Sequence, residues 1–136
     1  MLAHESVHWL LHCHDSYWTA LPIVLEEGLA YLVYHRYCNT EVACFSLSYP
    51  QIRQLLELSH EDYNSLHDKR VAAYTGVYIA RLLGLESIRE LLLRARDAGH
   101  EKLPVPWIIE AMVKTDVVRR EAASNPSLSA TTSHVR

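Results

Sequence analysis

His4-Glu5-Ser6-Val7-His8 and Leu25-Glu26-Glu27-Gly28-Leu29-Ala30, whose Glu27 follows His8 after eighteen intervening residues, are the stretches on which the reading of this chain turns. On a helix the i, i+4 spacing of His4 and His8 puts both imidazoles on one face about a turn apart, where they can share one metal ion. Eighteen residues let the chain leave that helix and return with a second one that presents Glu27 to the same place. Two His and one Glu form an open three-ligand set that leaves a position for water on zinc. With 9 His and 11 Glu in 136 residues, a shuffled chain carries H-E-x-x-H about 5% of the time, and a Glu required at position 27 lowers that to about 0.4%.

Working outward, Leu2 to about His14 has no Gly or Pro and carries apolar residues at helical spacing, which predicts a first helix. Pro22 opens a second, running through Ile23, Val24, Leu25, Leu29, Leu32 and Val33 to about Arg36. The pattern breaks between Tyr37 and Ser48, where a short strand near Glu41 to Leu47 is the one strand the sequence suggests. Pro50 starts a short helical stretch to Leu58, and Ser59 with Asp62 resembles a capping box. Asp68 to Leu83 reads as a long helix stopped by Gly84, Leu85 to Ala98 as another stopped by Gly99, and Trp107 to about Ala122 as the last. The expectation is a mainly α single domain over residues 1–122 with little or no β-sheet, followed by a flexible Ser/Thr-rich tail, 123–136. No internal repeat is present.

Composition narrows the function. The chain is 49% hydrophobic and 21% charged, as ordinary folded domains are. A net charge of −3 supplies no cationic field for phosphates, which argues against nucleic acid. Cys13, Cys38 and Cys44 are an odd count without C-x-x-C spacing, read as buried thiols in a reducing compartment. His, Glu or Arg interrupts every apolar run well short of the roughly 18 residues a membrane span needs. His4 and Glu5 arrive too early for a signal peptide, so the expectation is a cytoplasmic protein, if Met1 is the true start.

His-Glu-x-x-His, eighteen residues, then Glu-Gly-Leu-Ala resembles the gluzincin zinc metallopeptidases, and the run Leu21-Pro22 through Ala30 most resembles their bacterial peptidase-MA-like branch. Ala73 to Gly84, with Tyr74, Gly76 and Tyr78, is similar to that branch's Tyr- and Gly-bearing helix. The likeness spans about residues 2 to 98 and implies a zincin-like helical domain that hydrolyses peptide bonds in a peptide or protein substrate. It implies Zn2+ on His4, His8 and Glu27, with Glu5 as the base that takes a proton from the attacking water. A phenol aimed at the developing oxyanion completes the set, Tyr74 first and Tyr78 in reserve.

Two departures shape the expectation. Gluzincin peptidases usually carry a sheet before the zinc helix, whereas Met1 here stands three residues before His4. The chain is then a catalytic fragment, is completed at its cleft by a partner chain, or is an inactive metal-binding module that holds a protein partner; a metal-free helical scaffold requires the spacing to be accidental. The family also often has an acidic residue four positions after the ligand Glu, which is Tyr31 here. Asp15, Glu26, Asp68 or a backbone carbonyl must then hold a ligand ring. Glu26 is left out of the ligand set because the ligand position is the one followed by Gly28. His14 has the spacing of a metzincin third ligand, but Leu11 occupies the position where that turn needs Gly. Trp9, Trp18, Tyr31, Tyr34 and Trp107 read as core or cleft wall, and Arg94 and Arg96 as a solvated helix face.

Overall fold

The computed structural model describes residues 5–6, 8–9, 17–38 and 47–124. The first helix, α1, is represented by the helical residues Glu5, Ser6, His8 and Trp9. A single 3-10 turn, Tyr17–Ala20, leads into α2 (Ile23–Cys38), followed by α3 (Tyr49–Leu56), α4 (His60–Asn64), α5 (Arg70–Leu83), α6 (Leu85–Asp97) and α7 (Val105–Ser124). Among the described residues there is no strand, and the chain is mainly α as expected. Of the segment Glu41 to Leu47, all but Leu47 lies outside the described residues; Leu47 itself is not in a strand. No described helix is long and apolar enough to cross a membrane.

The ends of these helices follow from local chemistry. Ser48 begins α3 with a full capping box: its Oγ accepts from Gln51 N–H, and the Gln51 side chain accepts from Ser48 N–H at 2.9 Å. The start therefore falls just ahead of the one Pro50 alone suggests. Ser59 caps α4 by accepting from Asp62 N–H at 3.0 Å. Asp68 precedes α5 and accepts from Arg70 N–H at 2.9 Å. Arg70, paired with it at 2.8 Å, holds the Asp68 carboxyl down at about 2. Gly84 lies at φ 82°, ψ 155° between α5 and α6, a backbone region open in practice only to glycine. After α6 the chain closes in a Schellman motif, His100 N–H to Ala95 carbonyl and Gly99 N–H to Arg96 carbonyl. The last helix continues to Ser124, two residues beyond the expected end of the domain.

Helix α2 is the axis of the fold. Ile23, Val24, Leu25, Leu29 and Ala30 are all buried, and they point around the whole circumference of the helix, as in a segment surrounded by protein. Leu25 and Leu29 enter the main core with Ile79, Leu83, Ile88, Leu92, Ile108 and Met112 from α5, α6 and α7. Ile23 and Val24 pack on the other side with Tyr63 of α4 and Ala72 of α5. Leu103 N–H donates to the Ala20 carbonyl at 2.9 Å and fastens the α6–α7 connection to the 3-10 turn. Tyr49 donates to the Asp116 carboxylate and ties α3 to α7.

The tightest approach is between α2 and α5, the most extensively packed helix pair. A Cβ on Gly28 would lie 2.2 Å from the Gly76 carbonyl carbon, and one on Gly76 would lie 2.0 Å from the Val24 carbonyl oxygen. Both obstacles are backbone, so no rotamer change relieves them. Gly76→Ala is expected to cost at least about 3 kcal/mol, because backbones rather than side chains must separate. That lowers Tm by roughly 10 °C in thermal unfolding followed by circular dichroism; a loss within 2 °C of the parent would show that the helices part easily.

Candidate metal centre

Residues of α1 and α2 meet at His8. Its Nδ1 lies 2.7 Å from Oε2 of Glu26, and its Nε2 lies 3.2 Å from Oε1 of Glu27. Neighbouring residues on a helix diverge by about 100° around the axis. The imidazole receives both only because it lies across the α2 surface with its two nitrogens facing different carboxylates. Glu26 is 3% exposed, an unusual setting for a carboxylate unless it is hydrogen-bonded to a cation or a donor. Glu26 and then Glu27 push the His8 pKa up from 6.5 to about 10, against the opposing effect of burial.

The separation of His8 Nε2 and Glu27 Oε1 fits a shared metal. Zinc bonds of about 2.0–2.1 Å at tetrahedral angles place two donor atoms roughly 3.3–3.4 Å apart, and the observed gap is 3.2 Å. The donor types also suit zinc, one imidazole, which binds once its Nε2 has lost its proton, and one carboxylate. Among the described residues no group of three donors is arranged to hold a metal; His4, the expected third ligand, lies outside them. Glu5, the expected base, is exposed on α1 one turn before His8.

Tyrosines surround the Glu27 side. Tyr31 follows Glu27 by one turn of α2, and its ring meets Tyr74 of α5 edge to face with centroids 6.0 Å apart. Tyr78, one turn beyond Tyr74, is 45% exposed. The position after Glu27 where the family often has an acid is filled by one of these rings. Of the carboxylates expected to hold a ligand ring, Glu26 lies 2.7 Å from His8 Nδ1, Asp68 is engaged with Arg70, and Asp15 lies outside the described residues.

Sequence reasoning missed Tyr63. It is 3% exposed, and burial followed by the nearby Glu27 and Tyr31 raises its phenol pKa. The available signal was the composition of α4, His-Glu-Asp-Tyr-Asn, in which Tyr63 is the single apolar residue a short helix has to bury.

Other expectations sort plainly. Trp9 is 65% exposed, so of the two places expected for it, core or cleft wall, it is not in the core. Trp18 packs partly buried against the core, and Trp107 is held between Arg94, 4.2 Å from its ring centroid, and the edge of His100. Arg94 lies on an exposed helix face, as expected, and from there also stacks on the Trp107 ring. Cys13, Cys44 and His14 lie outside the described residues, as do the side chains of Tyr34 and Cys38.

Comparison with protein-family models, with curated proteins and with solved structures finds no match to this chain.

The raised His8 pKa makes a signed prediction for the metal-free protein. The stabilisation from the His8 proton is complete below pH 6.5 and is lost as pH rises toward 10. In chelator, Tm is expected to fall across that window more steeply for the parent than for His8→Gln. Parallel curves for the two proteins would rule out a folded-state imidazolium held by Glu26 and Glu27.

Proposed function

We propose that the chain is a zinc-dependent peptidase of helical zincin type, or the catalytic fragment of one. The observation that carries this reading is the pairing of His8 Nε2 with Glu27 Oε1 at 3.2 Å, reached from residues separated by eighteen others in sequence. His4, His8 and Glu27 would hold the metal. The chemistry zinc supplies when bound is polarisation of a substrate carbonyl and acidification of a water.

The protein's own groups then have distinct tasks. Glu5 takes the proton of the attacking water and passes it to the departing amine, as a general base that becomes a general acid. Tyr74 donates its phenolic O–H to the oxyanion that forms on the peptide carbonyl. Tyr31, edge-on to Tyr74 at 6.0 Å, limits the orientations of that ring. The substrate class is peptide or protein, and a partner chain that completes the cleft belongs to the same reading.

A second reading has one observation in its favour. Trp9 follows His8 directly and is 65% exposed, the kind of aromatic that anchors protein contacts. On this reading the same zinc ligands support an inactive module, and the surface beside them receives a protein partner.

Elemental analysis of untagged protein is expected to give about one zinc per chain, with a clear loss in Glu27→Ala. Glu5→Gln is then expected to keep the zinc and lower peptide turnover at least ~100-fold, the range lost with a general base. No zinc in the parent after supplementation would overturn the metal centre. Zinc without peptide turnover in either protein would favour the inactive module.

A further inference from the structure

Glu26 is the feature of the site that zinc ligation does not itself require. It is a carboxylate 3% exposed in the middle of the apolar run Ile23 to Ala30, where an apolar side chain would be buried at less cost. Its Oε2 is 2.7 Å from Nδ1 of His8, a charge-assisted hydrogen-bond distance. The opposite nitrogen, Nε2, is the one that faces Glu27. An imidazole has two ring nitrogens, and a hydrogen bond accepted from one decides that the other carries the lone pair for a metal.

We infer that Glu26 is the positioning residue of this centre: by accepting the Nδ1–H of His8 it fixes the ring plane and reserves Nε2 for the ion that Glu27 shares. The inference rests on the zinc reading above and assigns Glu26 no bond to the metal or the substrate. Two anchors on one ring remove its rotation about χ2. Glu26 itself is held by the packing of Leu25 and Leu29, its neighbours on α2, in the core. The hydrogen bond also makes the ring a stronger donor through Nε2.

The test uses the full chain and three substitutions. Zinc affinity is read by competition with a chromophoric chelator. The His8 ring N–H is read by nitrogen-15 NMR in the metal-free protein, a signal independent of zinc. Glu26→Leu is expected to weaken zinc binding by about 10–100-fold and to remove the protected Nδ1–H resonance. Glu26→Gln keeps an acceptor oxygen of the same reach and is expected to stay within a few-fold of the parent with the resonance present. Should the Leu protein not fold, Glu26→Asp, which withdraws the carboxylate by one methylene, is expected to weaken binding by roughly 10-fold. Parent-like affinity in the folded Leu or Asp protein overturns the inference, as does a Gln protein as weak as Leu. If the parent binds no zinc, the positioning role falls with the zinc reading. A protected Nδ1–H, lost in Leu, would then locate the failure in the metal and not in the Glu26–His8 bond.

Discussion

The backbone contact of Gly28 with Gly76 is the constraint from which the remaining arrangement follows. Helices that meet through ordinary side chains stand about 8–10 Å apart; here even a methyl group on either glycine would fall inside the opposing backbone. That closeness draws α2 into the middle of the protein, with its apolar residues divided between one cluster facing α5, α6 and α7 and another facing α4. A helix so enclosed needs little polar surface, and Ile23, Val24, Leu25, Leu29 and Ala30 are buried on either side of Glu26-Glu27-Gly28.

The same contact sets the geometry of the proposed centre. Glu27 immediately precedes Gly28, and Tyr74 lies two residues before Gly76, so the crossing that locks the helices also fixes the bases of both side chains. Tyr31, one turn beyond Glu27, then meets Tyr74 edge-on. Helix α1 enters through His8, whose two nitrogens are engaged by consecutive glutamates. Rigid positioning of this kind comes from packed helices rather than loops, and it is what a metal or substrate site needs from its surroundings.

Much of this was legible in the chain because the signals are local. Pro22, Pro50, Gly84 and Gly99 punctuate the helices through backbone geometry that no neighbour needs to supply, and Ser59 announces its own cap. The register of His8 with Glu27 was legible through spacing. What escaped depends on partners distant in sequence. Nothing in Leu25-Glu26-Glu27 reveals that Glu26 turns inward while Glu27 stays partly exposed, because the His8 ring that meets Glu26 comes from α1, eighteen positions away in sequence. Trp9 read as core or cleft wall, and its place on α1 leaves it out of the core. The pairing of Gly28 with Gly76 escaped for the same reason: each glycine by itself reads as tolerance, and only the two together make a contact.

The burial of Glu26 carries the last step. A carboxylate in the interior is costly unless a positive charge or strong donors meet it. The dipole of α2 helps little, since its effect fades within the first turn and Glu26 lies at the end of that turn. The donor that meets Glu26 is the imidazole of His8, and the carboxylate next in sequence faces the other nitrogen of the same ring. Two acids on one side of a single imidazole make a place that favours positive charge. An apolar residue at position 26 would relieve the burial cost but leave Nδ1 without its acceptor, and the ring would lose the contact that tells its two nitrogens apart. The fold therefore retains a costly side chain where orientation, rather than stability alone, is at stake.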